Sequence, residues 1–215
     1  LCKIFLSCIF TTEKLIMKKF SWLLLLVITI GCSQKKPLIG ETKFQKEQNA
    51  FFKDASTSPL KDKDRENFVS LDFFKYDSTF LVKAELQRTP DTEFFNMKTT
   101  TDRVSRERVY GVLTFNISGE TFKLNVYQGE ENMITEGLED YLFLPFLDAT
   151  NGESTYGGGR YIDLKIPETN SMEIDFNSAY NPYCVYNEKY SCPIVPRINY
   201  LPIKIEAGVK NYAKD

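Results

Sequence analysis

Hydrophobic positions fall into two regimes along this chain. The first is an apolar run of eleven residues, Phe20 to Ile30, broken only by Ser21 and Thr29 and led by Met17-Lys18-Lys19. At 1.5 Å per residue a helix of that length covers only about half of a ~30 Å hydrocarbon core, too short for a permanent span. It has the length of the apolar core of a removable leader. Gly31 and Cys32 close the run as a lipoprotein leader closes, so Cys32 is the expected site of diacylation and of membrane attachment. Leu1 to Ile16 lie upstream of a Met-Lys-Lys start that is already complete, so translation is expected to begin at Met17, with residues 1–16 an upstream extension. After the anchor, residues 32–49 are polar and aperiodic, the pattern of a tether.

The second regime is the globular part, residues 50–215. Phe44, Phe51, Phe52 and Ala55 share one helical face at i, i+7, i+8 and i+11, and Ser58-Pro59 has the form of a cap ahead of a second short helix at 61–67. From Ser78 onward the period changes to two. Alternating, β-branched and aromatic segments predict strands at 79–86, 93–99, 141–146, 161–165, 171–175 and 201–205. The strongest pattern is 108–117, then Ser118-Gly119, then 120–127, a β-hairpin with a two-residue turn. Val109, Gly111, Leu113, Phe115 and Ile117 are expected on one face of its first arm, and Phe122, Leu124 and Val126 on one face of its second. The count predicts a mostly β fold, an antiparallel β-sandwich or barrel of about eight strands with one or two short N-terminal helices.

Charge and composition narrow the function. The whole chain carries −2, and removing the leader's four lysines and one glutamate makes the mature chain more acidic. An acidic domain offers no basic surface for counterion release, so nucleic acid is not an expected partner. The chain has no histidine, which excludes Ser-His-Asp and Cys-His catalysis and histidine-ligated metals. Beyond the anchor only Cys184 and Cys192 remain, eight positions apart. In an oxidising compartment they are a candidate disulfide; free thiols and, least of all, a metal site are the other readings. No cofactor and no metal are expected.

Chemistry-bearing residues concentrate between 142 and 208. They include Asp148-Ala-Thr150, Tyr156-Gly-Gly-Gly-Arg160-Tyr161-Ile-Asp163, Asp175-Phe-Asn177-Ser-Ala-Tyr180-Asn181-Pro-Tyr-Cys184, Cys192-Pro193 and Ala207-Gly208. In the Gly-Gly-Arg-Tyr run ending at Tyr161, in Asp175-Phe-Asn-x-Ala-Tyr-Asn-Pro-x-Cys184, in Cys192-Pro193 and in Ala207-Gly208 the chain resembles the bacterial family catalogued as domain of unknown function 1684, over a stretch from Phe51 to Gly208. That family has no established activity, so the resemblance supplies a family and no mechanism. Ile198, Tyr200 and Val209 stand where the family tends to place Glu, Arg and Glu.

From the residues themselves, Arg160 after three glycines could grip an anion through its planar fork. It could equally be buried in a bend against Asp148 or Asp175. Asp148 to Glu153 is only a faint likeness of a calcium loop, and an Asx turn explains it as well. Asp175, Asn177, Tyr180 and Asn181 could line a pocket for a sugar or peptide, or satisfy the backbone of an irregular segment. The candidate ligand-binding set is therefore Asp148, Thr150, Tyr156, Arg160, Tyr161, Asp175, Asn177 and Asn181. Two functions follow as expectations. One is a non-catalytic envelope lipoprotein that binds a small ligand, glycan or peptide through an Arg160/Asp175/Asn177 face. The other is a hydrolase with two carboxylates drawn from Asp148, Glu153, Asp163 and Asp175.

Overall fold

The computed structural model describes residues 42–212. The leader, Cys32 and the first part of the expected tether lie outside them. The last part of that tether is instead helical: α1 spans Lys43–Lys53. Thr42 caps it reciprocally, its hydroxyl accepting from Gln45 N at 3.2 Å while Gln45 Oε1 accepts from Thr42 N at 3.1 Å. The expected apolar face holds for Phe44, Phe51 and Phe52, which pack with Tyr183 and Tyr186, whereas Ala55 lies exposed beyond the helix end. The second helix is shorter than expected. α2 is Asp62–Glu66 and starts from Lys61, because the Ser58 hydroxyl is engaged with Phe52 O (2.5 Å) and Leu60 N (3.2 Å).

Eight strands follow: β1 Leu81–Arg88, β2 Phe95–Lys98, β3 Val104–Ile117, β4 Glu120–Gly129, β5 Tyr141–Asp148, β6 Arg160–Lys165, β7 Ser171–Asp175 and β8 Tyr200–Leu201. They form one curled, mostly antiparallel sheet in the order β6-β5-β4-β3-β1-β7. β2 pairs with the start of β3, residues 104–107, and β8 lies parallel to β5. The β3–β4 hairpin is as the sequence predicts, Ile117 facing Glu120 across Ser118 (φ 51°) and Gly119 (φ 87°). Those two positive φ values are the mirror-image turn whose twist matches the strands it joins.

One expected face is wrong. The register shifts between Val109 and Gly111, so Tyr110 is an extra residue, Val109 pairs with Tyr127 and Gly111 with Val126. A bulge inverts the alternation. Gly111, Leu113, Phe115 and Ile117 face the main core with Leu124, Leu144, Phe146, Ile174 and Phe176, while Val109 faces the opposite side. The second cluster there contains Met97, Tyr127, Phe143, Tyr161 and Val195. Segment 191–195 covers it and joins opposite margins of this part of the sheet. Ile194 N donates to Lys98 O (2.8 Å), Thr100 N to Cys192 O (2.9 Å), and the Tyr161 hydroxyl to Pro193 O.

β4 and β5 diverge after the Tyr127–Phe143 pair, and the buried Asn199 amide fills the gap. It donates to Asn125 O (2.8 Å) and Pro145 O (2.7 Å) and accepts from Asn125 N (3.0 Å). No helix among the described residues is long and apolar enough to cross a membrane.

Candidate functional site

The residues that look most functional in the sequence hold the fold together. Arg160 opens β6 at 0% exposure, and its Nη2 reaches Asp148 Oδ2 at 2.9 Å and Ile205 O at 2.8 Å. Its Nη1 donates to Ala207 O, and the guanidinium lies over the Phe146 ring, 5.2 Å from the centroid. Asp148 in turn accepts from Thr150 N (2.8 Å), Thr150 Oγ1 (2.6 Å) and Ile205 N (3.2 Å). Arg160 Nε is buried without a partner, while both Nη atoms and the Asp148 carboxylate are spent internally. This knot also explains why the strand expected over 201–205 is only the two residues of β8: the amide and carbonyl of Ile205 are taken by Asp148 and Arg160 instead of a ladder. The glycine run is a tight approach, not an anion cradle. Gly159 (φ 89°) would place a Cβ 2.6 Å from Phe146 O, and Gly158 would place one 2.5 Å from the Tyr156 ring.

The expected Arg160/Asp175/Asn177 face does not form. Asp175 Oδ1 accepts from Asn177 N and Nδ2, both at 2.9 Å, and Asn177 splints the Asp77 backbone, donating to its carbonyl and accepting from its amide. Asn181 donates to Lys210 O (2.8 Å) and Tyr186 Oη (3.2 Å). Tyr161 is buried edge-on to Phe143, centroids 4.7 Å apart, and half-buried Tyr156 covers Gly158. These polar side chains replace ladder bonds in irregular chain.

A different set converges at the mouth of the second cluster. Strand pairing aligns Val109, Tyr127, Phe143 and Asp163 in one row across β3 to β6. One pleat along, Glu107 faces Gly129. Gly129 has no side chain, and the Asn132 amide and the Glu107 carboxylate close over it. A Cβ there would lie 3.3 Å from Glu107 Oε1 and 3.1 Å from Asn132 Nδ2. Asp163 is exposed at the rim, where its Oδ1 accepts from the Tyr141 hydroxyl (2.8 Å) and the Tyr180 hydroxyl (2.6 Å). Rings continue outward from it: Tyr161–Tyr180 at 5.9 Å, Tyr180–Tyr183 at 6.3 Å and Tyr183–Tyr190 at 5.5 Å between centroids.

Glu107 is the least satisfied charged group of this mouth. It is 6% exposed; Oε1 accepts from Ser105 Oγ at 2.8 Å, and buried Oε2 has no hydrogen-bond partner. Burial raises its pKa, opposed by Ser105 and by the more distant Arg103. Burial, and then the Asp163 charge, push the Tyr141 and Tyr180 phenols upward, so both remain hydroxyl donors.

The sequence concealed this set. Glu107 sits between Arg106 and Arg108, just ahead of the strand predicted from 108, and Asp163 is one carboxylate among four. No local signal marks Glu107, because the bulge at Tyr110 that sets its face leaves no trace in the pattern. Beside the mouth, Cys184 and Cys192 carry free thiols, and the expected disulfide is not formed in this structure. Among the described residues, no three acidic, histidine or cysteine side chains gather as a metal site would require.

A search of curated proteins finds no match. Among solved structures, the solution structure of an uncharacterized protein from gene locus rrnAC0354 of Haloarcula marismortui is similar. It is 31% identical, with a TM-score of 0.61 over 77% of this chain and 89% of that one. Residues 66–210 match the family model described as "Protein of unknown function (DUF1684)", and the chain belongs to that family.

Proposed function

We propose that the chain is a cell-envelope lipoprotein, held to a membrane through lipidated Cys32, whose β domain binds a ligand without transforming it. The site is the mouth formed by Glu107, Tyr127, Tyr141, Asp163 and Tyr180. The ligand carries a cationic, hydrogen-bond-donating group such as an ammonium, on a small molecule or a peptide. The observation that carries this reading is the buried Glu107 oxygen with no partner in the protein, since leaving such a group bare costs about 1–3 kcal/mol or more. Aromatic faces beside carboxylates suit an ammonium. The rim already accommodates one, for Lys189 Nζ lies 5.0 Å from the Tyr190 ring centroid.

The carboxylate-pair hydrolase is less well supported. Asp148 is buried on Arg160, Asp175 caps Asn177, and Glu153 pairs with Lys204 at 2.6 Å. Glu107 and Asp163 face the same mouth with β4 and β5 between them, which suits an elongated ligand touching both more than one bond flanked by both.

Calorimetric titration of the full chain in detergent with spermidine, choline and a neutral chito-oligosaccharide tests the ligand class. Binding of the two cations, lost in Glu107→Gln and Asp163→Asn, is expected. Binding of the oligosaccharide alone would contradict it. Mass spectrometry of the mature N-terminus tests the anchor: a diacylated Cys32 is expected, and an unmodified N-terminus beyond Cys32 would refute it.

A further inference from the structure

Cys184 and Cys192 lie against each other where the turn after Pro182 meets the segment that covers the second cluster. Cys184 is half-exposed in the turn Tyr183–Val185, and Cys192 is buried at the start of the segment that covers the second cluster. The Cys184 amide donates to Cys192 Sγ at 3.2 Å, and the Cys192 thiol hydrogen-bonds the Cys184 sulfur. Thr100 bridges the pair. Its hydroxyl donates to the Cys184 sulfur and accepts from Cys192 N at 3.1 Å, while its own amide holds Cys192 O at 2.9 Å. Two sulfurs so close, one open to solvent and one behind it, have the geometry of an attacking and a resolving thiol.

We propose that Cys184 and Cys192 form a thiol–disulfide exchange pair, in which Cys184 attacks an external low-molecular-weight disulfide and Cys192 resolves the product. The Cys184 thiolate attacks one sulfur of the small disulfide. That S–S bond breaks, one thiolate leaves, and a mixed disulfide remains on Cys184. Cys192 then gives its proton to solvent and attacks the Cys184 sulfur, releasing the second thiolate as the internal disulfide forms. The protein dithiol loses two electrons and the small disulfide gains them as two thiols. The asymmetry of the two sulfurs agrees with these roles. Donation from Cys192 and Thr100 outweighs burial and lowers the Cys184 pKa to about 6, whereas the hydrogen bond to Cys184, and then burial, raise that of Cys192.

The test treats the reduced full chain with oxidised glutathione and maps each cysteine by peptide mass spectrometry. Wild type is expected to gain a Cys184–Cys192 disulfide. Cys192→Ser is expected to accumulate glutathione on Cys184, and Cys184→Ser to leave Cys192 unmodified. Glutathione on Cys192 as readily as on Cys184, or no reaction at either, would overturn the proposal. If a serine variant fails to fold, wild-type alkylation at pH 7 decides it. Cys184 is expected to react at least tenfold faster than Cys192, and equal rates would overturn the roles.

Discussion

Replacing Arg160 with alanine would leave the Asp148 carboxylate buried without its cation and the carbonyls of Ile205 and Ala207 without a donor. Breaking one side of a buried ion pair costs about 3–5 kcal/mol, so a large drop in the denaturant midpoint is expected. An unchanged midpoint would show that Arg160 is not structural. Glu107 is the reverse case. Its folded pKa lies above its unfolded value, so its contribution to stability is fully present below the unfolded pKa and is lost as pH rises through the folded one. Glu107→Gln carries no charge at any pH. It is therefore expected to melt above wild type at pH 8, with the gap closing toward pH 4, and to lose cation binding at the same time. A variant that is less stable than wild type at pH 8 would mean that Glu107 is held by the fold and is not reserved for a ligand.

At the scale of elements, the hairpin turn offers a test of the β3–β4 register. Ser118 sits at φ 51°, where a non-glycine residue other than Asn or Asp is disfavoured. Ser118→Asn, giving the Asn-Gly pair such turns prefer, is expected to raise stability by a few tenths to about 1 kcal/mol in thermal unfolding. Destabilisation would mean that the turn is of another kind. The hairpin was legible because strict alternation flanks a two-residue turn, and β7 because its own residues alternate. Other features depended on contacts that no local pattern carries. The Tyr110 bulge inverts a face without any change in composition. β8 stops short because Arg160 and Asp148, distant in sequence, take the backbone groups of Ile205. The helix start was visible after all, since Thr42 and Gln45 have the spacing of a capping box. The candidate site was less legible than the fold: Arg160, Asp175 and Asn177 looked chemical because irregular chain needs polar partners, while Glu107 stands in a charged run just ahead of the predicted strand.

For the molecule as a whole, a structural knot and the proposed binding mouth lie on different parts of one curled sheet, and the negative charge of the chain suits the proposed cationic ligand class. Binding is expected to weaken as salt is raised from about 0.05 to 0.5 M, because rim charges such as Asp163 are screened. Affinity independent of salt would argue for a neutral ligand. The most direct measurement is an NMR titration of the isotopically labelled full chain with spermidine, following each backbone amide. The expected result is that shifts concentrate at Glu107, Gly129, Tyr141, Asp163 and Tyr180 and leave Asp148, Arg160, Asp175 and Asn177 unmoved. Shifts gathered around Arg160 or Asn177, or none anywhere, would contradict it.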